Sequence, residues 1–171
     1  LYQEVRTDVT DFDSYDNFIA SLQRLTFQSS PGYPFMNQAP TIGEWLGWDG
    51  LRFDRQKTNL LWMMVQRILE EPIESVWRVF IKQEPHKLAK IEEGRLRLIM
   101  CPPLDLQVVW QMTFGRMNQL EVEHALSLPS KQGIEFAGGK WKLYRDDWDT
   151  RQTWHSSDKR CWDWSVSSWM V

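Results

Sequence analysis

The sequence predicts an α+β fold, on three observations. Two long stretches, 54–71 and 105–122, carry apolar residues at helical spacing. Two short runs rich in β-branched and aromatic residues, 75–82 and 96–100, flank a basic segment and read as a strand and its return strand. Pro and Gly clusters punctuate the chain between these elements.

Residues 1–12 are polar and acidic, with no clear period. Asp13 or Ser14 suits the cap of a helix that places Phe18, Ile19, Leu22 and Leu25 on one face. That helix must stop before Gln28-Ser-Ser-Pro-Gly-Tyr-Pro-Phe35, because two prolines around a glycine cannot continue it. Residues 36–53 are expected to form a loop anchored by Trp45, Trp48 and Phe53. The next helix begins near Asp54 or Thr58, buries Leu61, Met64, Val65, Ile68 and Leu69, and ends at Pro72. Ser75–Lys82 and Leu96–Met100 form the strand pair, and Pro102-Pro103 stops the second strand. Asp105 suits a helix N-terminus. The stretch through Val108, Trp110, Met112, Phe114, Met117, Leu120 and Val122 is expected to be helical and mostly buried. Residues 127–140 read as loop, Lys140–Tyr144 and Thr153–Asp158 as short strands, and a helix is expected from Trp162 onward.

Composition bounds the possibilities. With 171 residues, 42% hydrophobic and 25% charged, the chain has the material for a core. A net charge of -3 argues against a uniformly basic nucleic-acid binder but leaves room for a local basic channel. There are 11 Trp, some beside basic residues, where rings can pack in a core or stack on bases. Cys101 and Cys161 are far apart and in no CxxC pair, which disfavours a disulfide framework or a zinc site. A thiol nucleophile built from Cys161 and His155 has only that weak pair behind it. The longest purely apolar run, Leu60–Val65, falls far short of the ~20 residues of a membrane span. The chain opens without Met, and we expect it to be a piece of a longer protein.

The segment from Arg78 to Arg97 is the most informative. Arg78, Lys82, Lys87, Lys90, Arg95 and Arg97, with His86 alongside, face only Glu84, Glu92 and Glu93. A strand, a basic turn and a second strand can aim several cations at one groove, which suits phosphate oxygens. The charge pattern by itself equally fits a solvated hairpin. The letters Ile81-Lys-Gln-Glu-Pro-His-Lys87, then Lys90 and Gly94-Arg-Leu-Arg-Leu-Ile99, resemble motif F of the RNA-dependent RNA polymerases of positive-strand RNA viruses, most nearly those of sobemoviruses and poleroviruses. The resemblance implies that Lys82, Lys87, Lys90, Arg95 and Arg97 meet the incoming triphosphate or the template, and that Glu84 holds the hairpin together by internal ion pairing.

Ser29-Ser-Pro-Gly-Tyr-Pro-Phe35 resembles motif G of the same family, the loop that guides the template. Pro and Gly set a rigid turn whose backbone can approach a phosphate, with Ser29 and Ser30 as hydrogen-bonding groups beside Gly32 and Tyr33. Taken alone, the stretch also fits a plain structural turn with a packed Tyr33. Asp158-Lys-Arg-Cys-Trp-Asp163-Trp-Ser resembles motif A, although the family places small or apolar residues where this chain has Lys159 and Arg160. There the resemblance implies that Asp158 is the catalytic carboxylate and a ligand of Mg²⁺ or Mn²⁺, and that Asp163 tests for the ribose 2′-hydroxyl. A bare pair of aspartates at this spacing is otherwise common, for example as a helix cap.

Two other signals are weaker. Tyr144-Arg-Asp-Asp147 looks like the Gly-Asp-Asp of motif C, but it lies upstream of Asp158 and lacks flanking apolar strands. Gly138-Gly139 lacks the Gly-Lys-Ser/Thr ending of a phosphate loop and reads as a turn. Together the motifs imply the fingers of a right-hand polymerase over residues 1–152 and the start of the palm over 153–171, incomplete and inactive alone. The implied partners are an RNA template and product, ribonucleoside triphosphates, the rest of the polymerase chain and other viral replication proteins. The implied location is the host cytoplasm, at membrane-associated replication complexes. A noncatalytic RNA-binding module using the hairpin 78–97, or part of a reverse transcriptase, are the alternatives.

Overall fold

A computed structural model of the chain describes residues 3–6, 10–71, 73–149, 153, 155–159 and 165–167. It is mostly helical, with one two-stranded antiparallel sheet among the described residues, so the α+β expectation holds. Helix α1 spans Tyr15–Arg24, and Ser14 caps it: its hydroxyl accepts the Asn17 N–H at 3.1 Å. Helix α2, Ile42–Leu46, lies inside the segment expected to be loop. A capping box makes so short a helix possible. Thr41 Oγ1 accepts the Glu44 N–H at 3.2 Å and donates to the Glu44 carboxylate at 3.0 Å, while left-handed Gly47 closes the far end.

Helix α3 spans Arg55–Glu70 and starts on Asp54, whose carboxylate accepts the Lys57 N–H at 2.9 Å. It ends at Glu70; Pro72 lies outside the described residues. Strand β1, Arg78–Ile81, pairs with β2, Leu98–Cys101, and between them lies α4, Leu88–Glu92, in place of a plain basic turn. Helix α5, Leu104–Glu123, follows at once, and α6 spans Trp141–Trp148.

Helices α1 and α3 both pack on α5. Phe18, Leu22, Ile42, Leu46, Leu61, Val65, Leu104 and Val108 are sealed in the core between them. Each such side chain contributes about 1.5–3 kcal/mol by leaving water. Polar ties cross from α1 to α5: Asn17 Nδ2 donates to the Met112 carbonyl at 3.0 Å, and Arg24 Nη2 to the Gln111 carbonyl at 3.5 Å.

Several expectations fail for identifiable reasons. Lys140–Tyr144 is not a strand, because its aromatic residues lie in the first turn of α6. Short apolar runs do not distinguish the two periods. Helix α5 is not mostly buried: it covers Leu104, Val108, Met112 and Gly115, but leaves Trp110, Phe114, Met117 and Val122 exposed. Only one side of α5 meets α1 and α3. Of the strand expected over Thr153–Asp158, residues 153 and 155–158 carry no regular structure. The run is too polar to bury a face. The helix expected from Trp162 falls largely outside the described residues.

The sheet has two unlike faces. Arg78, Phe80, Ile99 and Cys101 are partly or fully covered, whereas Val79, Ile81, Leu98 and Met100 point into solvent.

Candidate nucleic-acid interface

The hairpin register sets Arg78 opposite Cys101, Phe80 opposite Ile99 and Ile81 opposite Leu98. The ladder runs one step further, with the Lys82 N–H donating to the Arg97 carbonyl at 2.8 Å. Lys82 and Arg97 are therefore cross-strand neighbours, and like charges so placed repel. Glu84 resolves the repulsion. Its carboxylate accepts Lys82 Nζ at 3.0 Å and Arg97 Nη1 at 3.1 Å on both oxygens. The Lys82 hydrogen bond, and then that of Arg97, hold the Glu84 carboxyl below the usual carboxylate range. Pairs at a solvent-facing rim are weak, so Glu84 orders these cations without locking them away from a phosphate.

The rest of the basic segment sits at the tip. Lys87 immediately precedes α4, Lys90 lies on it, and Arg95 is paired with Glu93 just after the turn at Gly94. His86 Nε2 stands 3.2 Å from the Lys82 carbonyl and braces the turn.

The Ser29–Phe35 loop is fastened to the base of this hairpin. Ser30 Oγ accepts the Gly32 N–H at 3.2 Å and Arg78 Nη1 at 3.1 Å. The Ser30 carbonyl accepts the Cys101 thiol at 3.5 Å and Gln107 Nε2 at 3.3 Å. Gln107 also donates to the Pro102 carbonyl at 2.8 Å, so one side chain ties the loop, the end of β2 and the first turns of α5. Gly32 has φ +68°, and a Cβ there would lie 2.2 Å from the Pro102 oxygen. Ser29 gives its carbonyl to the Ile42 N–H at 2.9 Å and keeps its side chain exposed, and Tyr33 is exposed as well.

Between loop and hairpin lies a cleft of about 830 Å³. Gln28, Ser29 and Ser30 form one wall; Arg78, Phe80, Lys82 and Gln83 form the other; Gln107 and Trp110 of α5 close the floor. The structure thus gathers Ser29, Ser30 and Lys82 at one opening, with Arg97 tied to Lys82 through Glu84. Sequence reasoning counted Arg78 among the cations without giving it a role and assigned none to Gln107. Their partners lie 48 and 77 residues away in the chain, and no local pattern announces them.

Asp158 is exposed in a stretch without regular structure. Asp163 and Cys161 lie outside the described residues, so neither the ribose-testing pair nor a Cys161–His155 couple has a described geometry. A carboxylate is the right donor for a hard divalent ion, which is commonly bound through one or two carboxylates plus substrate phosphates. Among the described residues no three His, Cys, Asp or Glu side chains converge, so these residues do not complete such a site. No described helix is long and apolar enough to cross a membrane.

Comparison with known proteins agrees with the motifs. Residues 3–171 match the family described as viral RNA-dependent RNA polymerase. The chain is 38% identical over 113 residues to the replicase polyprotein P2AB of Southern bean mosaic virus, covering 62% of this chain and 11% of that protein. It is 34% identical over 122 residues to protein P1-P2 of Turnip yellows virus, covering 63% of this chain and 11% of that protein. It is 32% identical over 162 residues to the RNA-directed RNA polymerase of Mushroom bacilliform virus, covering 85% of this chain and 38% of that protein. The first two are sobemovirus and polerovirus replicases, the groups to which the motifs pointed. The chain spans 11% of the length of two of these relatives and 38% of the third. Because the match extends over residues 3–171, the chain belongs to the viral RNA-dependent RNA polymerase family.

Proposed function

We propose that this chain forms the template and nucleotide entry of an enzyme that copies RNA into RNA from ribonucleoside triphosphates. The observation that carries this reading is the cleft between the Ser29–Tyr33 loop and the cationic hairpin, in a chain of this family. Residues 1–152 act as fingers and 153–171 begin the palm. Ser29, Ser30, Gly32 and Tyr33 guide the template strand past the cleft. Lys82, Lys87, Lys90, Arg95 and Arg97 neutralise the phosphates of template and nucleotide, and Glu84 bridges Lys82 and Arg97 and holds the hairpin together by internal ion pairing. Arg97 offers a planar fork that matches two phosphate oxygens at once.

Asp158 is the catalytic carboxylate in this reading and one ligand of the divalent ion, Mg²⁺ or Mn²⁺. Asp163 selects ribose. The remaining ligands come from the rest of the polymerase chain, so residues 1–171 alone are inactive. The enzyme works in the host cytoplasm with other viral replication proteins, at membrane-associated complexes.

Primer extension on an RNA template tests the proposal. In the full-length protein, Arg97→Ala is expected to raise the apparent KM for nucleotides roughly tenfold, the worth of one charge-assisted hydrogen bond. An unchanged KM and kcat would remove Arg97 from the site. Residues 1–171 by themselves are expected to extend no primer, and measurable synthesis by them would overturn the division of labour.

A further inference from the structure

Trp110 was expected in the core, yet it is 50% exposed. Its ring lines the cleft between loop and hairpin, beside Ser30, Arg78, Lys82, Gln83 and Gln107. An indole left half in water contributes only part of its burial free energy, so its position among cations and amides asks for a chemical reason. We propose that Trp110 is a stacking platform for one unpaired base of the RNA that enters this cleft. The inference rests on the template-binding reading above and assigns that site a base-contacting residue.

Three features support it. First, the platform is held firmly. Gln107, one turn earlier on the same face of α5, is anchored to the Ser30 and Pro102 carbonyls at 3.3 and 2.8 Å. Trp77 meets the Trp110 ring edge-on, with centroids 6.0 Å apart, and Trp77 is itself fixed by its N–H to Ser75 Oγ at 3.0 Å. Second, cations line the same cleft as the Trp110 ring. The Arg78 guanidinium sits over the Phe80 ring at 5.0 Å with Ser30 Oγ as its anchor, and Lys82 follows on the same strand face. Grooves for single strands combine these two ingredients, charges for the phosphates and a π-face for the bases. Third, polar groups are set into the otherwise largely apolar lining of the cleft. The amides of Gln83 and Gln107 offer donors and acceptors that suit the polar edge of a base.

The test compares two probes on the full-length protein: a single-stranded RNA of about 12 nucleotides, within the span of such grooves, and an abasic strand of the same length. Trp110→Leu keeps an apolar side chain but removes the π-face. It is expected to weaken binding of the RNA roughly tenfold and to leave the abasic strand unchanged. Trp110→Phe is expected to restore most of the loss. The slope of affinity against salt should stay as in the wild type, because no phosphate contact has been removed. Equal loss on both probes would mean that the cleft itself has collapsed, and no loss on either would mean that Trp110 serves a protein contact; each result overturns the platform. If the wild type binds both probes while the Leu variant behaves identically, template binding stands and only the platform falls. If the wild type binds neither probe, the template-binding reading falls and takes the platform with it.

Discussion

Asp158→Ala is expected to lower RNA synthesis by the full-length protein about a thousandfold or more, with template affinity nearly unchanged. The side chain is exposed and lies away from the α1–α3–α5 core, so its removal should leave stability within about 0.5 kcal/mol. Nucleotidyl transfer is another matter. A carboxylate that holds a catalytic divalent ion supports several kcal/mol of transition-state stabilisation, and about 4 kcal/mol is about a thousandfold in rate. In the proposed reading template affinity rests on cations such as Lys82 and Lys90, and deleting one negative charge takes nothing from them. Primer extension alongside equilibrium RNA binding separates the two effects. Persistent synthesis would sink the catalytic assignment and favour an RNA-binding module without catalysis.

The second large effect concerns Gly32. Gly32→Ala is expected to destabilise the fold by about 3 kcal/mol, seen as a lower urea midpoint. Its φ of +68° is already unfavourable for a residue with a Cβ. The new methyl would also lie 2.2 Å from the Pro102 oxygen, 2.8 Å from the Pro102 carbonyl carbon and 3.0 Å from the Pro103 Cα. These are backbone atoms, so no side-chain rotation relieves the clash, and the loop must lift from the hairpin. Ser30 lies two residues away, and its bonds to Arg78, Cys101 and Gln107 would lengthen together. RNA binding in the cleft should weaken with stability. A loss below about 1 kcal/mol, the ordinary scale of a glycine substitution, would refute the close approach.

The helices that read most clearly in the sequence are those whose periodicity and caps agree. Ser14 before Phe18 and Leu22, and Asp54 before Leu61 and Val65, each state both the start and the inner face of a helix. The hairpin was legible because β-branched and aromatic residues flank a charged turn, although α4 within that turn was not foreseen. Helix α2 carries a readable signal, Thr41-x-x-Glu44 followed by Gly47, but its five residues are too few to show a period and its aromatic neighbours fit a loop equally well. Helix α5 misled in a different way. Apolar residues occur around much of its circumference, and no pattern states which side a neighbour will cover. For the site, the cations and the Ser29–Tyr33 loop announced themselves by letter and order. The bonds that assemble them into one cleft join Arg78, Cys101 and Gln107 to Ser30, and tertiary folding alone creates them.

The outward face of the small sheet bears on how residues 1–171 behave in a tube. Val79 stands opposite Met100 and Ile81 opposite Leu98, each about half in water, on a ribbon of two strands among the described residues. Among the described residues such a ribbon leaves the N–H and C=O groups of its outer edges without a strand partner, next to an exposed apolar strip, and invites strand addition by other copies. Concentrating these residues alone should therefore promote self-association, and a silent activity assay on them has meaning only in dilute, demonstrably monodisperse samples.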